Sequence, residues 1–187
     1  MIDSMEAMKV ISKARGEAIV VTTMTAKNEW HQASTCRELD FGISGAMSKA
    51  SSLGFGLALA QPDRKVIIID GDGSLLMNLG SLVTIANMAP SNLIHFVIEN
   101  GVYRITGGQP TPNSRKVSFS ALARDAGYTH SFEFDDLAFF QSKIKNIMEQ
   151  PGPTFVCLKC PSISERSPYK SPTTSPDSVR KFRASLI

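Results

Sequence analysis

Apolar positions fall into two kinds of grouping along the chain: short unbroken runs, and stretches in which they recur every three or four residues. Ala18–Thr23, Lys65–Asp70, Leu93–Ile98, Thr129–Phe134 and Thr154–Lys159 are the short runs, and the β-branched density of Val66-Ile67-Ile68-Ile69 predicts parallel strands buried on both faces. Between them lie helical patterns. Met5 to Arg15 carries Met5, Met8 and Ile11 at helical spacing and ends at Gly16, while Leu75 to Met88 must stop before Pro90. Ser118 caps a short helix closed by Gly127, and Asp135 starts one with Leu137, Phe140, Ile144 and Ile147 on a single face. Ala46 to Ala60 is rich in Ala, Ser and Gly, which weakens helix propensity but lets a helix lie close against a sheet. Helix and strand in alternation predict an α/β fold: one three-layer α/β/α domain around a mostly parallel sheet.

That domain is expected over residues 1–160, with 161–187 a Ser/Pro-rich tail carrying a short C-terminal helix. Pro161 to Thr174 reads as an exposed linker. Ser175-Pro176-Asp177 is a helix start for Val179 to Leu186, whose Arg180, Lys181 and Arg183 form a solvated face. A chain of 187 residues suits one domain. Other classes recede: a net charge of +3 is too small to argue for nucleic acid, and three cysteines are too few for a secreted disulfide scaffold. Cys157 and Cys160 form a C-x-x-C inside a strand pattern, which favours buried structural thiols over a redox or zinc motif. No apolar stretch approaches the ~20 residues of a membrane span and the N-terminus lacks a signal pattern, so a cytoplasmic location is expected.

The candidate chemistry sits at two strand ends. Gly71-Asp72-Gly73 follows one apolar run directly, and a second run ends in Glu99-Asn100-Gly101-Val102-Tyr103, with 25 residues, Ser74 to Ile98, between the two. In an open parallel sheet ligands bind outside the carboxyl ends of the strands. Mg²⁺ prefers octahedral oxygen coordination and takes few protein ligands alongside substrate phosphates, so Asp72 and Asn100 suit a diphosphate-bound ion. Gly71 and Gly73 would let the chain turn sharply beside an anion, and Ser74 would open a helix whose free N–H groups favour phosphate. Alternation points Glu99 away from Asn100 and so away from the metal.

This Gly-Asp-Gly, followed after about 25 residues by a pair ending in Asn, resembles the signature of thiamine-diphosphate enzymes. The resemblance implies thiamine diphosphate and Mg²⁺ as cofactors, with Asp72, the Asn100 side chain and the Val102 carbonyl as metal ligands. Gly45-Ala46-Met47-Ser48 is similar to the turn that places an apolar side chain under the bent cofactor, which would make Met47 that wedge; core packing is the alternative. Ser48 stands where such turns carry a second glycine. The cofactor contacts implied are thus Gly45, Ala46, Met47, Gly71, Asp72, Gly73, Ser74, Asn100, Val102 and Tyr103.

Cys36-Arg37-Glu38-Leu39, the Glu99–Tyr103 segment and Thr106-Gly107-Gly108-Gln109-Pro110-Thr111 look like small split 2-oxoacid decarboxylases of the sulfopyruvate and phosphonopyruvate kind. By that resemblance the chain is a β subunit, and a partner chain supplies the aminopyrimidine-binding domain with its Glu, giving a hetero-oligomer. Arg37 and Arg104 could recognise an acidic tail on the substrate or be ordinary exposed arginines; His31 could transfer protons or be structural. His95 and His130 default to structural roles. Two further readings stay open: half of an acetolactate-synthase-type carboligase, and a non-catalytic phosphate-binding or regulatory module of the same fold.

Overall fold

The computed structural model describes residues 1–162 and 170–187. Its strands are β1 (Ile19–Thr23), β2 (Asp40–Ile43), β3 (Val66–Gly71), β4 (Leu93–Glu99), β5 (Val102–Tyr103), β6 (Gln109–Pro110), β7 (His130–Phe134) and β8 (Thr154–Lys159). Six of them form one sheet in the order β2-β1-β3-β4-β8-β7, and every pair in it is parallel. The helices are α1 (Ser4–Ala14), α2 (Met24–Ala33), α3 (Ala50–Ala60), α4 (Asp72–Leu76), α5 (Ser81–Met88), α6 (Phe119–Ala126), α7 (Leu137–Glu149) and α8 (Pro176–Ala184).

Alternation along β3 divides the core into two layers. Ile67 and Ile69 pack with Met8 and Ile11 of α1, Trp30 of α2 and Phe140 and Ile147 of α7. Val66 and Ile68 face the other way, onto Ala50 and Ala58 of α3, Leu82 and Ile85 of α5, and Phe119 and Ala123 of α6. The small-residue helix lies as close to the sheet as expected: a Cβ on Gly54 would stand 2.3 Å from Ile68 Cγ1.

Several expectations change. Residues 24–45 hold α2 and β2, which no apolar pattern announced, because α2 buries only Ala26, Glu29 and Trp30 and β2 is a half-buried edge strand. The expected helix Leu75–Met88 is two, α4 and α5, broken at Met77–Gly80. The N-cap of α7 is Asp136, whose carboxylate accepts from Phe139 N–H, and not Asp135. The loop Asn100–Lys116 is partly ordered by the antiparallel pair β5–β6.

Of the expected linker, 163–169 lies outside the described residues. Its last part is strapped down: Ser171 is buried with its N–H and hydroxyl both on Asn28 Oδ1 (3.0 and 2.8 Å), and Thr174 N–H bonds Ser44 Oγ. Helix α8 begins at a Ser175 capping box and seats Phe182 against Phe41, with ring centroids 5.0 Å apart.

Candidate functional site

The sheet changes direction at β1: the chain goes from β1 outward to β2, then returns to lay β3 on the other side of β1. A crevice opens beyond the carboxyl ends at such a point. Here Thr23 and Met24 from β1–α2, Gly71 to Ser74 from β3–α4, and Asn100, Val102, Tyr103 and Arg104 after β4 line one pocket, which Met47 and Glu29 also face. Eight of the ten expected cofactor contacts therefore converge; Gly45 and Ala46 lie beside the pocket in the turn that carries Met47.

Asp72 is 2% exposed. Its Oδ1 accepts the Gly73 N–H at 2.9 Å and its Oδ2 the Gly101 N–H at 2.7 Å. Burial pushes its pKa up to about 6 against the pull of those two N–H bonds. Among the described residues no Lys, Arg or His forms an ion pair with it. Asn100 Oδ1 accepts the Val102 N–H at 3.0 Å, which orients the amide and leaves the oxygen a second lone pair. A buried carboxylate with no ion-pair partner among the described residues, an oriented amide oxygen and a backbone carbonyl are hard oxygen donors, so the residues present fit Mg²⁺.

The glycines act differently from expectation. Gly71 has extended backbone (φ −105°, ψ 154°), and neither it nor Gly73 is left-handed, so the strand-to-helix turn needs no glycine conformation. Gly73 is needed for close approach, since its Cβ would meet the Tyr103 ring at 2.5 Å. A Cβ at Gly71 would meet nothing within 4 Å. Helix α4 is a single short turn, and its Gly73 N–H is already taken by Asp72.

Glu99 turns away from Asn100, 1% exposed, with Lys159 Nζ at 3.0 Å and the Cys157 thiol donating to it at 3.1 Å. Burial pushes both C-x-x-C thiols up, Cys160 to about 12 and Cys157 further, in keeping with inert structural thiols. His95 is wholly buried, with Nδ1 3.4 Å from the Tyr128 hydroxyl, and His130 stacks on Phe132 at 6.3 Å.

Of the residues weighed for substrate, the pocket gathers Arg104 alone, which donates to Glu29 Oε1 at 2.7 Å. Burial raises the Glu29 pKa although Arg104 lowers it. His31 and Arg37 line a different pocket, with Lys27, Trp30 and Asp40 against β2. Glu29 reaches this pocket from α2, and its signal in the sequence is the Ala26, Glu29, Trp30 stripe at i, i+3 and i+4 of a helix otherwise polar.

Residues 18–158 match the family described as "Thiamine pyrophosphate enzyme, C-terminal TPP binding domain". The chain is 37% identical over 170 residues to a protein named phosphonopyruvate decarboxylase from Streptomyces viridochromogenes, across 91% of this chain but 42% of that one. It is 34% identical over 179 residues to one named sulfopyruvate decarboxylase subunit beta from Methanocaldococcus jannaschii, across 94% of this chain and 90% of that one. Thus it spans less than half of the first relative and nearly all of the second. A solved structure of a thiamine diphosphate-dependent 4-hydroxybenzoylformate decarboxylase from Rhodococcus jostii RHA1 shares the fold, with a TM-score of 0.73 at 17% identity over 88% of this chain and 33% of that one.

Proposed function

This chain belongs to the thiamine pyrophosphate enzymes through their C-terminal TPP-binding domain, and we propose that it is the diphosphate- and metal-binding subunit of a decarboxylase acting on a 2-oxo acid with an acidic tail. One observation carries the reading: Asp72 is a buried carboxylate with no ion-pair partner among the described residues, beside Asn100 in a pocket that Met47 also lines. Similarity along nearly the whole length of a protein named as a β subunit supports a separate partner.

Asp72, Asn100 Oδ1 and the Val102 carbonyl would hold Mg²⁺, and the ion would hold the diphosphate. Bound thiamine diphosphate supplies an electron sink for the substrate's 2-oxo carbon. The chain's own contribution is placement. Met47 would shape the cofactor from below, with Gly45, Ala46, Gly71, Gly73, Ser74 and Tyr103 around it. Arg104, held on one side by Glu29, would offer its other guanidinium donors to a sulfonate or phosphonate tail. The aminopyrimidine end and its Glu would come from the partner subunit, in a cytoplasmic hetero-oligomer. Among the described residues no helix is long and apolar enough to cross a membrane.

Co-purification of the chain from its native host, followed by carbon dioxide release from sulfopyruvate, phosphonopyruvate and pyruvate, tests this. The chain alone is expected to be inactive and the complex active on an acid-tailed substrate. Robust decarboxylation by the pure single chain would overturn the half-site reading and move the missing carboxylate's role to Glu29.

A further inference from the structure

The turn that carries Met47 is held in an unfavourable backbone by side chains from elsewhere. Gly45 and Ser48 both have φ +72°, a conformation glycine takes freely and serine does not. Three side chains grip its peptide groups. Thr23, at the end of β1, donates its hydroxyl to the Ala46 carbonyl at 2.9 Å. Ser74 Oγ, in α4, accepts the Ser48 N–H at 2.9 Å, and Asn78 Nδ2 donates to the Ser48 carbonyl at 3.0 Å.

We propose that Ser74, flanked by Thr23 and Asn78, is a positioning residue: its hydroxyl locks the strained Ser48 peptide so that Met47 enters the pocket at one depth. This rests on the cofactor reading above and deepens it, because it assigns the Ser74 side chain to the turn and not to the diphosphate. The hydroxyl oxygen is engaged inside the protein, by the Ser48 N–H. The clamp also accounts for a serine at position 48. Side-chain hydrogen bonds hold there what a glycine would do unaided.

The test uses the full chain in its co-purified complex, with Ser74→Ala, Ser48→Gly and the double variant. Ser74→Ala is expected to lower kcat about 10- to 100-fold, the cost of a small misplacement near the reacting centre, while the KM for thiamine diphosphate stays nearly unchanged. Ser48→Gly is expected to restore most of that kcat, since its backbone takes φ +72° without a clamp. A Ser74→Ala loss that falls on cofactor affinity would assign the hydroxyl to the diphosphate and overturn the proposal. So would failure of Ser48→Gly to rescue. A second measurement is independent of any reaction: urea unfolding of the cofactor-free chain as a double-mutant cycle. The shift caused by Ser74→Ala should be roughly halved or better in the Ser48→Gly background. Equal shifts in both backgrounds would overturn the clamp. Coupling in the cycle without any binding of Mg²⁺ and thiamine diphosphate would instead sink the cofactor reading and leave the clamp standing.

Discussion

Two buried carboxylates face the same pocket, and they are neutralised in opposite ways. Glu29, on α2, is paired with Arg104 at 2.7 Å, with side chains 7% and 12% exposed. Asp72, at the foot of α4, receives two backbone N–H groups and, among the described residues, no ion-paired cation, though the more distant Arg115 lowers its pKa. Burial raises the pKa of both. On the Glu29 side the protein supplies its own countercharge, so the pair acts as a structural link between α2 and the segment after β5. On the Asp72 side partial charges orient the carboxylate but do not balance it, which is the arrangement a bound dication completes.

The largest effect expected from breaking this contrast is on the Glu29 side. Glu29→Gln keeps the shape but leaves the Arg104 charge without its carboxylate in a mostly buried position. Removing one partner of a buried pair costs about 3–5 kcal/mol, whereas replacing both with apolar groups of similar volume is far milder. Urea unfolding should therefore show Glu29→Gln strongly destabilised and Glu29→Leu/Arg104→Met recovering most of the loss. If the single variant is neutral, the pair is not a structural link.

Asp72 should behave in the reverse sense. Its folded pKa of about 6 lies above the ordinary 3.8, so the folded chain binds the extra proton between those values. Its ionised form therefore opposes folding, and stability falls as pH rises from about 4 to 6, by roughly 3 kcal/mol at 1.36 kcal/mol per unit. Asp72→Asn removes this contribution and also relieves the Asp70 carboxylate of a neighbouring negative charge, so the variant should gain on the wild type across that window. Mg²⁺ with thiamine diphosphate at 100 times the dissociation constant should then add about 2.7 kcal/mol to the wild type and almost nothing to the variant. A full ligand shift in Asp72→Asn would remove the metal assignment.

The contrast also separates what could be read from sequence. Asp72 and Asn100 were legible because each stands at the end of an apolar run, and strand ends of a parallel sheet converge whatever the loops do. The pairing of Glu29 with Arg104 was not, because it joins positions 75 apart in sequence, from a polar helix to the short turn after β5. The sheet, the helix caps at Ser118 and Gly127 and the close seat of α3 followed from local pattern. The edge strand β2 and the strap at Ser171 depend on tertiary partners that have no periodic signature. The glycines of Gly-Asp-Gly do not make the sharp turn expected of them: a motif marks a position without saying whether it is needed for φ, for close packing or for open space.

The smallest expected effect separates those reasons. Gly101 has φ +77°, gives its N–H to Asp72 Oδ2, and has no room for a Cβ, which would lie 2.6 Å from Ser114 Oγ. Gly71 is extended and its Cβ would meet nothing. Gly101→Ala should therefore cost about 1–2 kcal/mol in the cofactor-free chain, through left-handed strain in a non-glycine residue, and should shrink the metal-dependent shift as the donor to Asp72 is displaced. Gly71→Ala should leave cofactor-free stability almost unchanged, and any penalty should appear only with Mg²⁺ and thiamine diphosphate present, as a lower affinity. Thermal unfolding of the two variants with and without ligands decides the matter. If Gly71→Ala is destabilised without ligand and indifferent to it, the space above Gly71 belongs to the protein's own packing, and the pocket's occupied side must be sought nearer Glu29.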